Sequence, residues 1–136
     1  MTGKLDHIGI FVEDLDHAIP FYEALIGQGE PVVRAVPELG LRLAFFPRQG
    51  GSIIELVEAS GKSEMKHGDV VVALEVDDLE AEIERLRKVG IKAYHQKPTP
   101  NLPLHRGWIT KGDGHGTIIE LCPKGEVAHF VAGETK

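Results

Sequence analysis

The chain carries one short pattern twice, and this repetition restricts its possible folds more than any other feature of the sequence. The string SIIELVE at 52–58 returns as TIIELCP at 117–123, which places Glu55 and Glu120 at equivalent positions within apolar runs. The string VEDL at 12–15 returns as VDDL at 76–79, with almost the same separation. A long-range repeat of this kind indicates two copies of one supersecondary unit that pack against each other.

Each copy predicts the same order of elements: a buried strand, a helix and three shorter strands. An apolar, β-branched run begins each copy, at residues 5–12 and again at residues 70–76. Aspartates after each run supply helix N-caps, and glycines end the two helices. Pro20 lies inside the first helical pattern and predicts a kink or a late helix start, because proline removes a backbone hydrogen bond. The other predicted strands cover residues 31–34, 41–46, 52–57, 92–95, 107–110 and 117–121.

The predicted architecture is an α+β domain in which two tandem βαβββ modules form one curved mixed sheet. Neither module can bury both faces of its sheet alone, so the two sheets are expected to join and curl around a concave cup. At 136 residues the chain is long enough for a single domain with a core. The predicted boundaries are residues 4–58 for the first module, 59–69 for a linker, 70–123 for the second module and 124–136 for a tail of weak pattern.

Composition argues against several classes of function. The net charge is −6 at pH 7, from 21 acidic and 15 basic residues, whereas a nucleic-acid surface needs clustered basic charge. No apolar run in the sequence reaches the roughly 20 residues of a membrane-spanning helix. The first residues enter a strand pattern directly and do not have the layout of a signal peptide. With Cys122 as its single cysteine, the sequence favours a reducing, cytoplasmic location.

Three side chains of the repeat form a candidate metal site. Strand alternation places Glu55 and Glu120 among apolar neighbours, where an unpaired carboxylate is unfavourable and two facing carboxylates repel each other. A divalent cation relieves both problems, and His7 in the first strand is positioned to supply a nitrogen ligand. The position in the second copy that matches His7 is Val71, so water or substrate must complete the coordination.

The residues alone leave other assignments of these side chains open. His7 also fits a hydrogen-bonded core histidine, and the two glutamates fit buried ion pairs with Arg42, Arg106 or Lys111. His67, shortly before Val71, is either a replacement ligand or a solvated linker residue. His105 and His115 either contact substrate near the mouth of the cup or belong to exposed turns. No chemistry is predicted for His95, His129 and Cys122.

Four longer stretches carry a family resemblance, and they read LDHIGIFVEDLDHAIPFYEALIG, SIIELVE, VALEVDDLEAEIERLRKVGI and DGHGTIIELCP. Together they resemble the vicinal oxygen chelate superfamily, whose members include glyoxalase I, methylmalonyl-CoA epimerase, extradiol dioxygenases and bleomycin-binding proteins. The resemblance extends over nearly all of residues 4–123. Members place metal ligands on the first and fourth strands of each half. This implies ligand positions at His7, Glu55, Val71 and Glu120, of which three carry a ligating side chain and Val71 does not.

Within the superfamily the local sequence patterns resemble methylmalonyl-CoA epimerase most, since Glu38-Leu39-Gly40 before a strand is similar to a segment of that enzyme. Three features depart from the epimerase pattern. Val71 replaces a histidine, the apolar Leu43 lies near the position of a glutamate base, and Thr110-Lys111 stands in place of a His-Pro motif. The DGHG turn is more similar to a turn of glyoxalases and dioxygenases.

The resemblance implies a metal-dependent isomerase, epimerase or lyase acting on a small substrate that has two neighbouring oxygens. The implied ion is divalent Ni, Co, Zn, Mn or Fe, and Glu55 or Glu120 is implied to be both ligand and general base for a step that forms a stabilised enediolate. A homodimer is expected, as in many relatives. The alternative from another class is a metal-free protein that binds or sequesters a small molecule. An extradiol dioxygenase fits less well, because it usually needs two histidines and one carboxylate.

Overall fold

The computed structural model describes residues 3–27, 30–47, 53–60 and 65–133, and it confirms the predicted curved mixed sheet. The strands are β1 Lys4–Phe11, β2 Val32–Val36, β3 Leu41–Phe46, β4 Ile53–Ala59, β5 Val70–Val76, β6 Tyr94–Gln96, β7 Arg106–Ile109 and β8 Ile118–Pro123. The helices are α1 Leu15–Ile26, α2 Leu79–Lys88 and α3 Glu126–Val131, with a 3-10 turn at Pro37–Leu39. The predicted strand start at residue 52 and the linker residues 61–64 lie outside the described residues.

Strand pairing shows that the repeat of sequence is also a repeat of structure. The described strands form one sheet in the order β2-β3-β4-β1-β5-β8-β7-β6. In the first half β1 runs parallel to β4 with Gly9 opposite Glu55, and in the second half β5 runs parallel to β8 with Ala73 opposite Glu120. The halves join through antiparallel pairing of β1 and β5, in the pairs His7–Ala73 and Gly9–Val71. The register therefore makes Val71 the equivalent of His7, as the sequence offset predicted.

Helices α1 and α2 cover the same face of the sheet, one over each half. Leu15 of α1 is fully buried in a cluster with Ala44, Phe46 and Leu56. Leu79 and Leu86 of α2 pack in a matching cluster with Val76 and Leu121. Because side chains alternate along strands, Glu55 and Glu120 are left facing the other, concave side of the sheet.

Both of these helices begin at an aspartate cap. The carboxylate of Asp14 accepts the backbone N–H of His17, and that of Asp78 accepts the N–H of Ala81. Helix α1 begins at Leu15 and continues through Pro20 to Ile26, so the predicted late helix start is wrong. None of the described helices has the length and apolarity needed to cross a lipid bilayer.

The tail of weak pattern contains a helix that the sequence did not predict. Helix α3 is only six residues long and has no side-chain N-cap, so its local signal is poor. It is held by burial of Val127, Phe130 and Val131, and the Phe130 ring meets Phe45 edge to face with centroids 5.8 Å apart. Together with the buried Leu102 and Leu104, it fills one end of the concave face and leaves the other end open.

Candidate active site

The three predicted site residues meet on the concave face. His7 Nε2 lies 3.2 Å from Glu55 Oε1 and 3.0 Å from Glu120 Oε1. All three side chains are buried, with residue exposures of 2%, 5% and 1% respectively. The topology causes this convergence, because the parallel partners β4 and β8 carry the two glutamates alongside the central strands β1 and β5.

Asp6 fixes the orientation of the His7 ring. Its Oδ2 lies 2.7 Å from His7 Nδ1, so Nδ1–H donates to Asp6 and Nε2 faces the glutamates. In a regular strand these adjacent side chains point to opposite faces. The register of β1 against β5 shifts between Leu5 and His7, which makes Asp6 the extra residue of a β-bulge and lets it reach its neighbour. Sequence reasoning missed Asp6, and the Asp-His dipeptide is the only signal of it.

His7 Nε2 lies between two carboxylate oxygens, which repel each other unless a positive charge is placed between them. Burial alone would lower the pKa of His7, but the charge of Glu120 and hydrogen bonds with Asp6, Cys122 and Glu120 raise that pKa well above its ordinary value. A proton on Nε2 satisfies the requirement by donating to the glutamates. A divalent cation bound by the Nε2 lone pair and the two carboxylates satisfies it equally.

The donor set fits a divalent cation. The ligating atoms of His7, Glu55 and Glu120 all lie within 4.8 Å of one another. Adjacent ligands of an octahedral ion with bonds of about 2.1 Å are about 3.0 Å apart, which agrees with the two separations from Nε2. Asp6 adds the carboxylate that commonly orients a metal-bound imidazole. One nitrogen and two carboxylate ligands suit Ni, Co, Zn, Mn or Fe.

Arg106 binds the second oxygen of Glu120. Its Nη1 donates to Glu120 Oε2 over 3.0 Å, so one of the predicted buried ion pairs is present. Burial acts to raise the pKa of Glu120, but the charges of Arg106 and His7 hold it below its ordinary value. Since Glu120 uses different oxygens for Arg106 and His7, the ion pair and metal ligation are compatible. The other two predicted cations bind elsewhere, Arg42 to Asp16 and Glu58, and Lys111 to Asp69.

A cavity of about 190 Å³ opens above the cluster. Its polar wall comes from Glu55, Glu120, Arg106 and Gln96, and the Gln96 side-chain oxygen accepts a hydrogen bond from Trp108 Nε1. The Arg106 guanidinium lies over the Trp108 ring, 5.0 Å from its centroid, which stiffens this side of the wall. The remaining wall is apolar and consists of Phe11, Leu39, Leu41, Leu43, Val57 and Val71.

Val71 occupies the position that is symmetric to His7 and offers no ligating atom. It is 4% exposed and lines the cavity next to the two glutamates. The backbone of Gly9 lies close to both side chains: a Cβ added to Gly9 would be 3.4 Å from Glu55 Oε1 and from Val71 Cβ. A metal in the cluster would therefore have protein ligands from β1, β4 and β8 and open positions towards the cavity.

The remaining histidines of the sequence hypotheses lie away from the cluster. His67 is exposed, and its Nδ1 accepts the backbone N–H of Glu13 over 2.9 Å. His105 and His115 do not line the cavity, and His115 lies in an exposed turn with φ of 56°. Cys122 is fully buried, and burial together with the charge of Glu120 raises the pKa of its thiol to about 12, which makes it a poor nucleophile.

Replacing His67 with alanine is expected to leave metal occupancy unchanged, because its ring is engaged by the Glu13 backbone and lies outside the cluster. Elemental analysis of the purified variant beside the wild type checks this. A loss of more than half of the bound metal would make His67 a ligand and would contradict the site described above.

Comparison with known proteins agrees with the fold described above. The sequence model of the Glyoxalase/Bleomycin resistance protein/Dioxygenase superfamily matches residues 6–106. The chain belongs to this superfamily. The match runs from within β1 to the first residue of β7, and the curved eight-stranded sheet is the fold that the resemblance implied.

Individual relatives are similar at low identity. The chain is 26% identical to human mitochondrial methylmalonyl-CoA epimerase over 104 residues, which cover 70% of this chain and 58% of the human protein. It is 26% identical to a probable lactoylglutathione lyase of Vibrio parahaemolyticus, with coverage of 97% and 99%. The crystal structure of methylmalonyl-CoA epimerase from Mycobacterium tuberculosis superposes with a TM-score of 0.74 at 27% identity, covering 90% of this chain and 88% of that one.

Proposed function

We propose that the protein is a metal-dependent enzyme of the isomerase and epimerase type, which removes a proton from a carbon next to a carbonyl group. One observation carries the proposal: an imidazole and two carboxylates converge at the inner end of an apolar cavity. Buried charges of this kind cluster at functional sites, because burying them has no structural advantage over apolar packing. Relatives named as an epimerase and a lyase support an enzyme rather than a structural protein.

The proposed ligands are His7 Nε2, Glu55 Oε1 and Glu120 Oε1, with Asp6 holding the imidazole in place. A divalent ion bound there would supply Lewis acidity to the substrate oxygens and so make the neighbouring carbon more acidic. The open side faces the cavity, where a substrate with two adjacent oxygens has room to approach.

The two carboxylates have different roles in this proposal. Glu120 is anchored by Arg106, and its lowered pKa makes it a weak proton acceptor, so it is assigned as a ligand. Glu55 has His7 as its only ion-pair partner among the described residues, and the contact is made through Oε1. It also lines the cavity. Glu55 is therefore assigned as the general base, which takes the proton at Oε2.

The size of the cavity limits what part of a substrate it can hold. About 190 Å³ is smaller than the roughly 300–1,000 Å³ of a typical ligand pocket, and a second cavity of about 190 Å³ shares Phe11, Val71 and Trp108 with it. A small acyl group therefore fits over the cluster while the rest of a larger molecule extends beyond it. The names of two relatives contain the compounds methylmalonyl-CoA and lactoylglutathione. Both compounds are thioesters of a small acyl group. The proposed substrate is an acyl thioester whose acyl group fills the cavity while the thiol carrier stays outside.

The wall opposite the base decides how the proton returns. Leu41 and Leu43 lie on β3, next to the strand that carries Glu55. The opposite wall is therefore formed by Gln96, Arg106 and Trp108 of the second half. The described lining contains no carboxylate besides Glu55 and Glu120. Inversion at a carbon normally needs a donor on the opposite face, whereas a single base can return the proton to a different atom of the same face. The described cavity therefore favours isomerisation by one base.

A metal-free binding protein is the second candidate, and one observation favours it. Glu55 and Glu120 carry two negative charges, while Arg106 and a protonated His7 carry two positive ones. These four charges balance without an ion, and the carboxylate of Asp6 behind His7 is the one charge left over. The apolar cavity would then only bind a small molecule. The homodimer and the cytoplasmic location stay predictions, and light scattering checks the first.

Replacing Glu55 with glutamine is expected to slow catalysis far more than it lowers metal occupancy. Glutamine keeps an oxygen at the ligand position but cannot accept a proton, so exchange of substrate protons should fall by about 10²–10⁴-fold. The measurement is deuterium incorporation from D₂O into methylmalonyl-CoA and lactoylglutathione, followed by NMR, with metal content measured on the same samples.

Glu84→Gln provides the matched control, since Glu84 is a surface carboxylate paired with Arg87 and should keep full exchange. Unchanged exchange in Glu55→Gln would remove Glu55 as the base. Wild-type protein that binds no Ni, Co, Zn, Mn or Fe and exchanges neither thioester would favour the binding protein instead.

A further inference from the structure

We propose that His95 and His105 form a second transition-metal site, on the side of the sheet opposite to the cavity. We call these two residues the outer histidine pair. His95 precedes the cavity residue Gln96 in β6 and points the other way, towards α2, where its Nδ1 lies 2.9 Å from Glu80 Oε1. No pattern in the sequence indicates this grouping, and the sequence alone predicts no chemistry for His95.

The two rings present nitrogen atoms to each other at a ligand separation. His95 Nε2 lies 3.3 Å from His105 Nδ1, and the ring centroids are 5.5 Å apart at an interplanar angle of 28°. For bonds of about 2.1 Å, adjacent ligands are about 3.0 Å apart in an octahedral ion and about 3.4 Å apart in a tetrahedral one. This separation, which without an ion is that of a hydrogen bond between the rings, also matches two nitrogen ligands of one ion.

Carboxylates on neighbouring helices hold the pair in this arrangement. Since Glu80 in the first turn of α2 accepts the proton on His95 Nδ1, the lone pair of His95 is left on Nε2, facing His105. Glu126 at the start of α3 accepts the backbone N–H of His105 and fixes the segment that precedes β7. A carboxylate behind a ligating imidazole is the arrangement that orients histidines at known metal sites.

The chemistry of the pair selects the class of ion. Two neutral imidazoles suit Zn²⁺, Ni²⁺ or Cu²⁺ and are poor ligands for Mg²⁺ or Ca²⁺, which prefer oxygen. Both histidines are exposed, so an ion can reach them and water can fill its other positions. A bound ion would tie the short edge strand β6 to the start of β7.

The test is a Zn²⁺ titration followed by NMR of the imidazole nitrogens, which reports each histidine separately. We expect the signals of His95 and His105 to shift together with one apparent affinity. Because a chelate needs both ligands, His95→Ala, His105→Ala and the double variant should each weaken binding at this site, by about tenfold or more and to the same residual level.

His17→Ala is the matched control, since His17 also lies beside a carboxylate, Asp14, while the Nδ1 of the neighbouring His67 already accepts the backbone N–H of Glu13. It should leave the shifts of the His95 and His105 signals and their apparent affinity unchanged. Signals of His95 and His105 that do not move, or losses in the single variants that are small and additive, would overturn the proposal. Either result leaves the proposed enzyme function unaffected.

Discussion

Replacing Glu120 with alanine should remove about 3–5 kcal/mol from the free energy of unfolding, as is typical when one partner of a buried ion pair is lost. The substitution leaves the guanidinium of Arg106, which is only 6% exposed, without the carboxylate that binds its Nη1. The Nε atom of Arg106 already has no hydrogen-bond partner within the described part of the chain, and the face of the Trp108 ring is a weaker partner for the charge than a carboxylate. Equilibrium unfolding in urea measures the loss.

Two further variants separate this effect from the loss of any carboxylate. Glu84→Ala removes a surface ion pair with Arg87 and should change stability far less, because solvent screens that pair. The double variant Glu120→Gln with Arg106→Gln removes both charges and should recover much of the loss. If Glu120→Ala were no more destabilising than Glu84→Ala, the buried ion pair would not exist in solution as described.

The repeat made most of the sheet and the centre of the site predictable from sequence. Its nearly constant offset equates β1 with β5 and β4 with β8, and the observed parallel registers agree with that offset. Strand alternation then places Glu55 and Glu120 on one face. The alternation of apolar residues and the internal repeat are therefore sufficient to predict the sheet and the shared face of the two glutamates. Both features can be read from one sequence.

The parts that escaped prediction depend on irregular or long-range structure. Asp6 reaches His7 only because β1 has a bulge, and a bulge leaves no periodic trace. The sequence offered Arg106 as one of three cations for the glutamates, and only the pairing of β7 with β8 selects it. Helix α3 is too short for a clear pattern and is stabilised by tertiary burial. The outer histidine pair joins an edge strand to a loop that follows a proline-rich segment.

Replacing Val71 with histidine should tighten the binding of Co²⁺ or Zn²⁺ in the cavity by tenfold or more. The register makes position 71 equivalent to His7, and Val71 lines the cavity beside both glutamates. A fourth ligand needs to contribute only about 1.4 kcal/mol to produce a tenfold change in affinity. The imidazole is larger than the valine side chain, and the adjoining cavity of about 190 Å³ gives it room.

Val70→His is the matched control for this experiment, because position 70 is the adjacent residue of β5, 42% exposed and on the opposite face. Calorimetric titration of both variants and the wild type with Co²⁺ compares their affinities. The result depends on the symmetry of the fold and not on whether the native protein uses a metal, since a histidine at position 71 completes the ligand set in either case. Binding by Val71→His that is no tighter than binding by Val70→His would mean that the two halves do not present their ligand positions to one common point.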